Sequence, residues 1–188
     1  MHFTVEAQNI AKRYLEEGAI AIDATTGNGF DTLFLAEQVG DSGLVYGVDI
    51  QTHAIEAVRQ KLQHAGTSHR CQLTACSHAQ LNEIVDKSHQ GVISVAMFNL
   101  GYLPFGDKTI VTQPESTILA LDQVAGLIRP GGLITILAYL GHSGGKTEAL
   151  QVGQWVETKK DEFGVERHQD AQNENSPILW TLSKRFKT

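Results

Sequence analysis

The sequence predicts an α/β fold: a doubly wound, mostly parallel seven-stranded sheet with helices on both faces and an antiparallel strand at its C-terminal end. Three observations predict it. Runs such as "AIAIDAT" and "GVISVAMF" are apolar without alternation, as strands buried on both faces must be. Between such runs stand segments of helical period, "THAIEAVRQKLQHAG" the clearest, and that alternation implies parallel strands joined by crossover helices. Finally, the strand-like runs "FGVERHQD" and "PILWTLSK" are separated only by the polar "AQNENS", which lets them pair as a hairpin.

Each element has its own signal. "VEAQNIAKRYLEEG" is helix-like and stops at a glycine; "AIAIDAT" is the first strand. "DTLFLAEQVG" is a helix, "GLVYGVDI" a strand, and "THAIEAVRQKLQHAG" an amphipathic helix. The strand "CQLTAC" and helix "HAQLNEIVDK" follow, then "GVISVAMFN" and a long loop. "ESTILALDQVAGLI" is a helix, "RPGG" a turn, and "LITILAYLG" the fifth strand. A last helix, "KTEALQVGQWVETKK", precedes the two final strands. No internal repeat or linker interrupts the chain, so residues 1–188 are expected to form one domain.

The composition narrows the function classes. At 188 residues, 41% apolar and 19% charged, the chain has the makings of an ordinary self-sufficient core. Neither a basic-then-apolar leader pattern nor an apolar stretch of roughly 18 residues occurs, so no membrane association and a cytoplasmic location are expected. Cys71 and Cys76 lie too close together to staple a small secreted fold, which agrees with a reducing compartment. His69, Cys71, Cys76 and His78 are soft ligand types, but strand alternation keeps them from obvious convergence, and no metal is expected. A formal net charge of −6 disfavours a broad nucleic-acid coat and leaves room for a local basic patch, such as "SKRFK" with Lys159, Lys160 and Arg167, although Lys184, Arg185 and Lys187 of that stretch read rather as a solvated tail.

In doubly wound sheets the ligand lies beyond the carboxyl ends of the strands, near the topological switch. After the first strand comes "DATTGNGFDT". Asp23 ends the strand, Gly27, Asn28 and Gly29 make a tight turn, and Asp31 and Thr32 open a helix whose first N–H groups are free. A dinucleotide fingerprint would want a third small residue where Thr32 stands, and a carboxylate at Asp23 repels a pyrophosphate but attracts an ammonium. After the second strand, Asp49 and Gln51 stand about 20 residues past Gly29, where an acid accepts hydrogen bonds from ribose hydroxyls. After the third, Ser77 and His78 either meet an adenine edge or cap the next helix. After the fourth comes "FNLGYLP", with Asn99 and Tyr102 at the mouth of the strand.

On these residues the chain resembles a class I S-adenosylmethionine-dependent methyltransferase, with a Rossmann-like fold. Asp23, Gly27 and Gly29 match the acid and the last two glycines of that family's first motif, and Thr25 stands where its first glycine is usual. More narrowly, "DATTGNGFDTLFLA", "FNLGYLPFGDKTIVT", "YLGHSGG" and "NENSP" resemble the YtqB-type family, long labelled rRNA methylases, over nearly the whole chain. The resemblance implies S-adenosylmethionine as cofactor, a tRNA anticodon arm as partner, and N-methylation of the 5-aminomethyl group of 5-aminomethyl-2-thiouridine at the wobble position.

"NLGY" keeps the two ends of the Asn/Asp-Pro-Pro-aromatic loop common in amino-methyltransferases. Hydrogen bonds from an amine to the Asn99 amide oxygen and the Leu100 carbonyl would aim its lone pair, with Gly101 giving access and Tyr102 stacking on the base. An alkyl amine, with a reference pKa of about 10.4, must first lose a proton, and His142 and Asp107 are the candidate bases, each equally readable as a loop-shaping residue. Asn173 and Asn175 either line the substrate mouth or form a turn. His53, His64, His89 and His168 read as surface residues, as does His2. Competing readings are a methyltransferase acting on rRNA or a small molecule, a nicotinamide oxidoreductase, opposed by Asp23, and a binding module without catalysis, opposed by the polar loop at Asn99. How an acidic protein would grip RNA is open at this level; a homodimer joining two weak patches is one answer.

Overall fold

In the computed structural model, which describes residues 3–103 and 109–186, seven strands form one sheet in the order β3-β2-β1-β4-β5-β7-β6. The strands are β1 (Ile20–Asp23), β2 (Leu44–Asp49), β3 (Cys71–Ala75), β4 (Ile93–Leu100), β5 (Ile128–Ala138), β6 (Phe163–His168) and β7 (Ile178–Lys184). The helices are α1 (Phe3–Ala11), α2 (Phe30–Val39), α3 (Thr52–His64), α4 (Leu81–Ile84), α5 (Pro114–Leu127) and α6 (Gly145–Thr158). All pairings through β5 are parallel, and β7 lies antiparallel between β5 and β6. The predicted hairpin therefore forms, and it adds to the sheet through its second strand.

The unbroken apolar strands are explained by two cores, one on each face. Ile22, Tyr46, Ala96, Phe98, Ile134 and Ile136 pack with Leu121 of α5 and Trp155 of α6. Their neighbours Ala21, Val45, Val95, Met97 and Leu133 pack with Ala7, Leu35 and Val58 of α1, α2 and α3. Adjacent positions thus serve opposite faces, the period-2 rule applied to a strand with no wet side.

Two local expectations change. "HAQLNEIVDK" is a 3₁₀ turn (His78–Gln80) and the four-residue α4 rather than a full helix, because Ser77 and Asp86 each bind the backbone two residues on and favour tight turns. "RPGG" is not a free turn: Arg129–Gly132 lie inside β5 as an irregularity opposite Ile93–Val95, where Pro130 brings no N–H to the ladder.

The order of the strands reverses between the parallel neighbours β1 and β4, and the carboxyl ends of both open there. The turn that leaves β1 depends on Gly29. It has φ +72°, and a Cβ there would lie 2.6 Å from Val58 Cγ2 of α3. Gly29→Ala is expected to cost about 2 kcal/mol, from left-handed strain and overpacking together. Val58→Ala in the same chain should return only the packing part, as chemical denaturation of the two variants and the double variant will show.

Candidate active site

Beyond the ends of β1, β2 and β4 lies a cleft of about 760 Å³. Of the residues expected there, Gly27, Asn28, Asp31, Asp49, Gln51, Ser77, His78, Asn99, Gly101, Tyr102 and His142 all line it. Sequence positions from 27 to 142 converge because every one follows a parallel strand on the same edge of the sheet.

The glycine loop is held from below and from the side. The Gly27 N–H donates to Asp49 Oδ2 at 2.9 Å, and the Gln51 N–H donates to Asp49 Oδ1 at 2.8 Å. Asp49 therefore ties the loop after β1 to the one after β2, and each oxygen keeps a lone pair for the cleft. Lys61 of α3 donates to the Asn28 carbonyl and lies 3.9 Å from the centre of the exposed Phe30 ring, a cation–π contact at the rim. The Gln51 side-chain oxygen is buried without a hydrogen-bond partner among the described residues.

Of the two acids that flank the glycine loop, Asp31 lines the cleft and Asp23 does not. Asp23 is fully buried and does not line the cleft: it accepts from Thr32 Oγ1 at 2.6 Å and from the Thr25 N–H at 3.2 Å. Thr32 is equally buried and serves Asp23, and Gly29 packs against Val58, so neither reaches the cleft. The strand-end acid caps the turn it precedes. Burial, reinforced by the neighbouring Asp31 charge, pushes the Asp23 carboxyl up to about 7. Burial also raises Asp31, opposed by its hydrogen bonds from Gln8 and Asn99. Gln8 Nε2 donates to Asp31 Oδ1 at 2.6 Å, and Asn99 Nδ2 donates to Oδ2. Both partners are neutral amides, so a buried carboxylate faces the cleft uncompensated, as an ammonium-binding group would.

Asn99 is positioned on both sides. Its N–H donates to Thr25 Oγ1 at 2.6 Å, and because Nδ2 is committed to Asp31, its side-chain oxygen remains an acceptor. Leu100 does not follow it into the cleft: its side chain is in the core, and its carbonyl accepts the Tyr139 N–H at 3.2 Å. Strand pairing continues one residue further than the sequence suggests and takes that carbonyl. Gly101 and Tyr102 do emerge, and Tyr102 pairs with Val111 in an antiparallel bridge, backed by Thr112 N–H to the Gly101 carbonyl at 2.8 Å. Asp107 falls outside the described residues, as do His2 and Lys187.

Ser77 caps the 3₁₀ turn by accepting from the Ala79 N–H at 3.2 Å while also lining the cleft. His78 is buried beside Phe98, its Nε2 is 3.2 Å from Ser116 Oγ, and burial lowers its pKa. Asn173 shapes the β6–β7 turn by accepting from the Asn175 N–H at 3.0 Å and is not among the residues that line the cleft. Asn175 lines a smaller cavity next to His142, Lys146 and Thr147. Two of the histidines read as surface residues are partly buried and paired: His89 with the Tyr46 hydroxyl at 2.8 Å, and His168 with Glu6 at 3.2 Å. Lys184 is structural, since its ammonium donates to the Ala125 and Ile128 carbonyls at the C-terminal end of α5. Cys71 is pushed up to about 12 by burial and the Asp23 charge, and burial raises Cys76, so neither thiol is shifted toward its thiolate. Among the described residues no cluster of three or more His, Cys, Asp or Glu side chains could hold a metal ion, and no helix is long and apolar enough to cross a membrane.

Several site residues carry no signal in the sequence. Thr4 and Gln8 come from α1, far from any strand end, and Thr4 Oγ1 lies 3.3 Å from the Tyr139 hydroxyl across the cleft. Glu148 of α6 is buried and accepts from Thr112 Oγ1 at 2.6 Å and Thr117 Oγ1 at 2.7 Å, which anchors the strap that carries Val111 and Thr112. Only hydrophobic period marks these helices from sequence, and the period says nothing about a polar partner.

Comparison with known proteins agrees with this architecture. A structure described as a "putative rRNA-methylase" from Clostridium thermocellum superposes with a TM-score of 0.91 at 37% identity, covering 96% of each chain. A "putative methyltransferase" from Streptococcus mutans, solved in complex with SAH, gives a TM-score of 0.85 at 31% identity over 96% of this chain and 97% of that one. The fold is that of the class I methyltransferases. The chloroplastic tRNA (mnm5s2U34)-methyltransferase of Arabidopsis thaliana is 35% identical over 170 residues, 81% of this chain; the match spans 61% of that relative's length. Residues 45–184 match the family described as "Putative rRNA methylase", and with most of its sheet and the loops from Asp49 to His142 inside that match, the chain belongs to this family.

Proposed function

We propose that the protein is an S-adenosylmethionine-dependent RNA methyltransferase that N-methylates the 5-aminomethyl group of 5-aminomethyl-2-thiouridine at the tRNA wobble position, acting on the anticodon arm in the cytoplasm. The observation that carries this reading is the Asn99 amide, whose nitrogen is committed to Asp31 and whose oxygen is left to accept from a nucleophile that bears N–H groups. The Arabidopsis relative, named for a tRNA wobble uridine, supports the choice of substrate.

The residues fit the cofactor. Asp31 suits the methionyl ammonium, the Gly27–Asn28 turn gives close backbone approach, and Asp49 suits ribose hydroxyls. Ile50, Ser77 and His78 line the same cleft and offer the apolar surface and polar edges that suit adenine. When bound, S-adenosylmethionine supplies an electrophilic methyl group. The chain's part is to bind, aim and deprotonate: Asn99 directs the amine, and the Tyr102 ring, on the rim, offers a face for the base.

Incubation with labelled methyl donor and bulk bacterial RNA lacking this modification, followed by nucleoside mass spectrometry, tests the reading. A methylated aminomethyl side chain in the tRNA fraction is expected. Label on a ring carbon, on ribose or only in rRNA would overturn the substrate. For the cofactor, Asp49→Ala should weaken SAH binding about 10-fold or more in calorimetry, through lost charged hydrogen bonds and a loosened glycine turn. Unchanged affinity would displace the ribose assignment.

A further inference from the structure

We propose that Gln8 of α1 is a positioning residue for the cofactor seat: it fixes the Asp31 carboxylate so that one acid serves both the cofactor ammonium and the Asn99 amide. The inference rests on the reading of Asp31 as the ammonium-binding group and deepens it with a residue from a helix that follows no strand. Gln8 Nε2 donates to Asp31 Oδ1 at 2.6 Å, and Asn99 Nδ2 donates to Oδ2. Asp31 and Asn99 line the cleft, whereas Gln8 is not among the residues that line it. Gln8 therefore reaches the carboxylate from outside the cleft and leaves the inner side open to a ligand.

The packing of α1 brings Gln8 within reach. Phe3, Ala7 and Ala11 recur at helical spacing and are buried in the core that also holds Leu133 and Leu137 of β5, and the two small alanines let the helix lie close to the sheet. Thr4, one turn before Gln8 on the same face, lies with its Oγ1 3.3 Å from the Tyr139 hydroxyl. These two residues tie α1 to the loop after β5 and to the first turn of α2. The second contact crosses 23 positions of sequence.

An amide NH2 group only donates, so both Asp31 oxygens are acceptors, the pattern of an ionised carboxylate with lone pairs to spare. Burial works against that charged form, and the two amides work for it. Among the described residues no cation pairs with Asp31. Asp23 at the end of β1 repels it, Glu6 of α1 is paired with His168, and Lys61 of α3 is turned to the Asn28 carbonyl and the Phe30 ring. The other titratable groups on the cleft wall are Asp49, His78, Tyr102, Tyr139 and His142. Without Gln8, the carboxyl would keep its proton to higher pH and turn more freely about its Cβ–Cγ bond, loosening its hold on Asn99.

Calorimetry with two probes tests it: SAH, which carries the ammonium, and 5′-methylthioadenosine, which has the nucleoside and sulfur but no amino-acid tail. Gln8→Met keeps the length of the side chain and removes the donor. It should weaken SAH about 10-fold at pH 7 and leave methylthioadenosine within about twofold, which shows the fold and the nucleoside seat intact. Truncating Asn99 opens toward the cleft, where water can replace its donor, but the methionine fills the place of Gln8 and admits none. The wild-type preference for SAH over methylthioadenosine should fall as pH drops and Asp31 takes up a proton. In Gln8→Met that fall should begin at higher pH, because the lost donor no longer favours the charged form. A second measurement needs no variant at position 8: in 15N–1H spectra of the free protein the side-chain NH2 signals of Gln8 and Asn99 should titrate with one midpoint, and Asp31→Asn should abolish that titration. A Gln8 signal that stays still while that of Asn99 moves, equal loss of both probes in Gln8→Met, or an unchanged preference would overturn the proposal. Asp31→Asn separates it from the reading beneath. Preference for SAH lost there but kept in Gln8→Met overturns the role of Gln8 alone; preference kept in Asp31→Asn sinks the ammonium reading and the role of Gln8 with it.

Discussion

Replacing Asn99 with alanine is expected to lower the single-turnover rate by roughly 10²-fold or more while leaving SAH affinity within a few-fold of the native protein, the scale of a misplaced near-attack geometry. The cause is local. The Asn99 N–H bond to Thr25 Oγ1 survives truncation, and residues on either side in β4 are paired with β5, so the strand end keeps its course. What disappears is the amide that Asp31 orients. Asn99→Asp is the sharper companion: it keeps the shape, loses the donor, and sets a second carboxylate against buried Asp31, so it should be slower still. If calorimetry instead shows SAH affinity falling in step with the rate, Asn99 is part of the cofactor seat and the amine-orienting role is lost.

The second large effect is on stability and comes from Asp23. Its folded-state pKa, about 7, stands above its ordinary value of 3.8. A raised carboxyl pKa means that the folded protein holds its proton while the unfolded chain has already released one. The ligand-free protein therefore loses stability as pH rises from about 4 to about 7, by an amount on the order of 4 kcal/mol, and the loss is complete above that range. Asp31, raised by burial, pulls in the same direction. Asp23→Asn should flatten the profile, with a melting temperature raised at pH 8 and little changed at pH 4. Asparagine can still accept from the Thr25 N–H and can donate to the Thr32 hydroxyl, so both partners stay in contact. Thermal melts of both proteins across that range decide it: a wild-type profile flat between pH 4 and 7 would mean that Asp23 is not held protonated. A ligand ammonium beside Asp31 should lessen the penalty, so SAH should stabilise more at pH 8 than at pH 5.

Much of this was legible beforehand because it depends on local pattern. Apolar runs without alternation require two covered faces, helical periods between them require crossovers, and together they leave little choice but a doubly wound sheet whose loops gather at one edge. That edge carries Gly27, Asp49, Ser77, Asn99 and His142 together, so most of the cleft could be named in advance. The hairpin at the end was also legible, from two strands and a polar turn.

What only the tertiary structure decided is where each polar group spends its hydrogen bonds. Asp23 and Asp31 are both acids near one glycine loop. One is buried against Thr32 and the other faces the cleft with Gln8 and Asn99, partners 23 and 68 positions away. Leu100 loses its carbonyl to Tyr139, Lys184 gives its ammonium to the end of α5, and Asn173 turns a hairpin. Residue type and spacing define what a group can donate or accept. Which partner it takes depends on distances across the sheet and between helices, set by packing among residues far apart in the chain, and no local pattern records them.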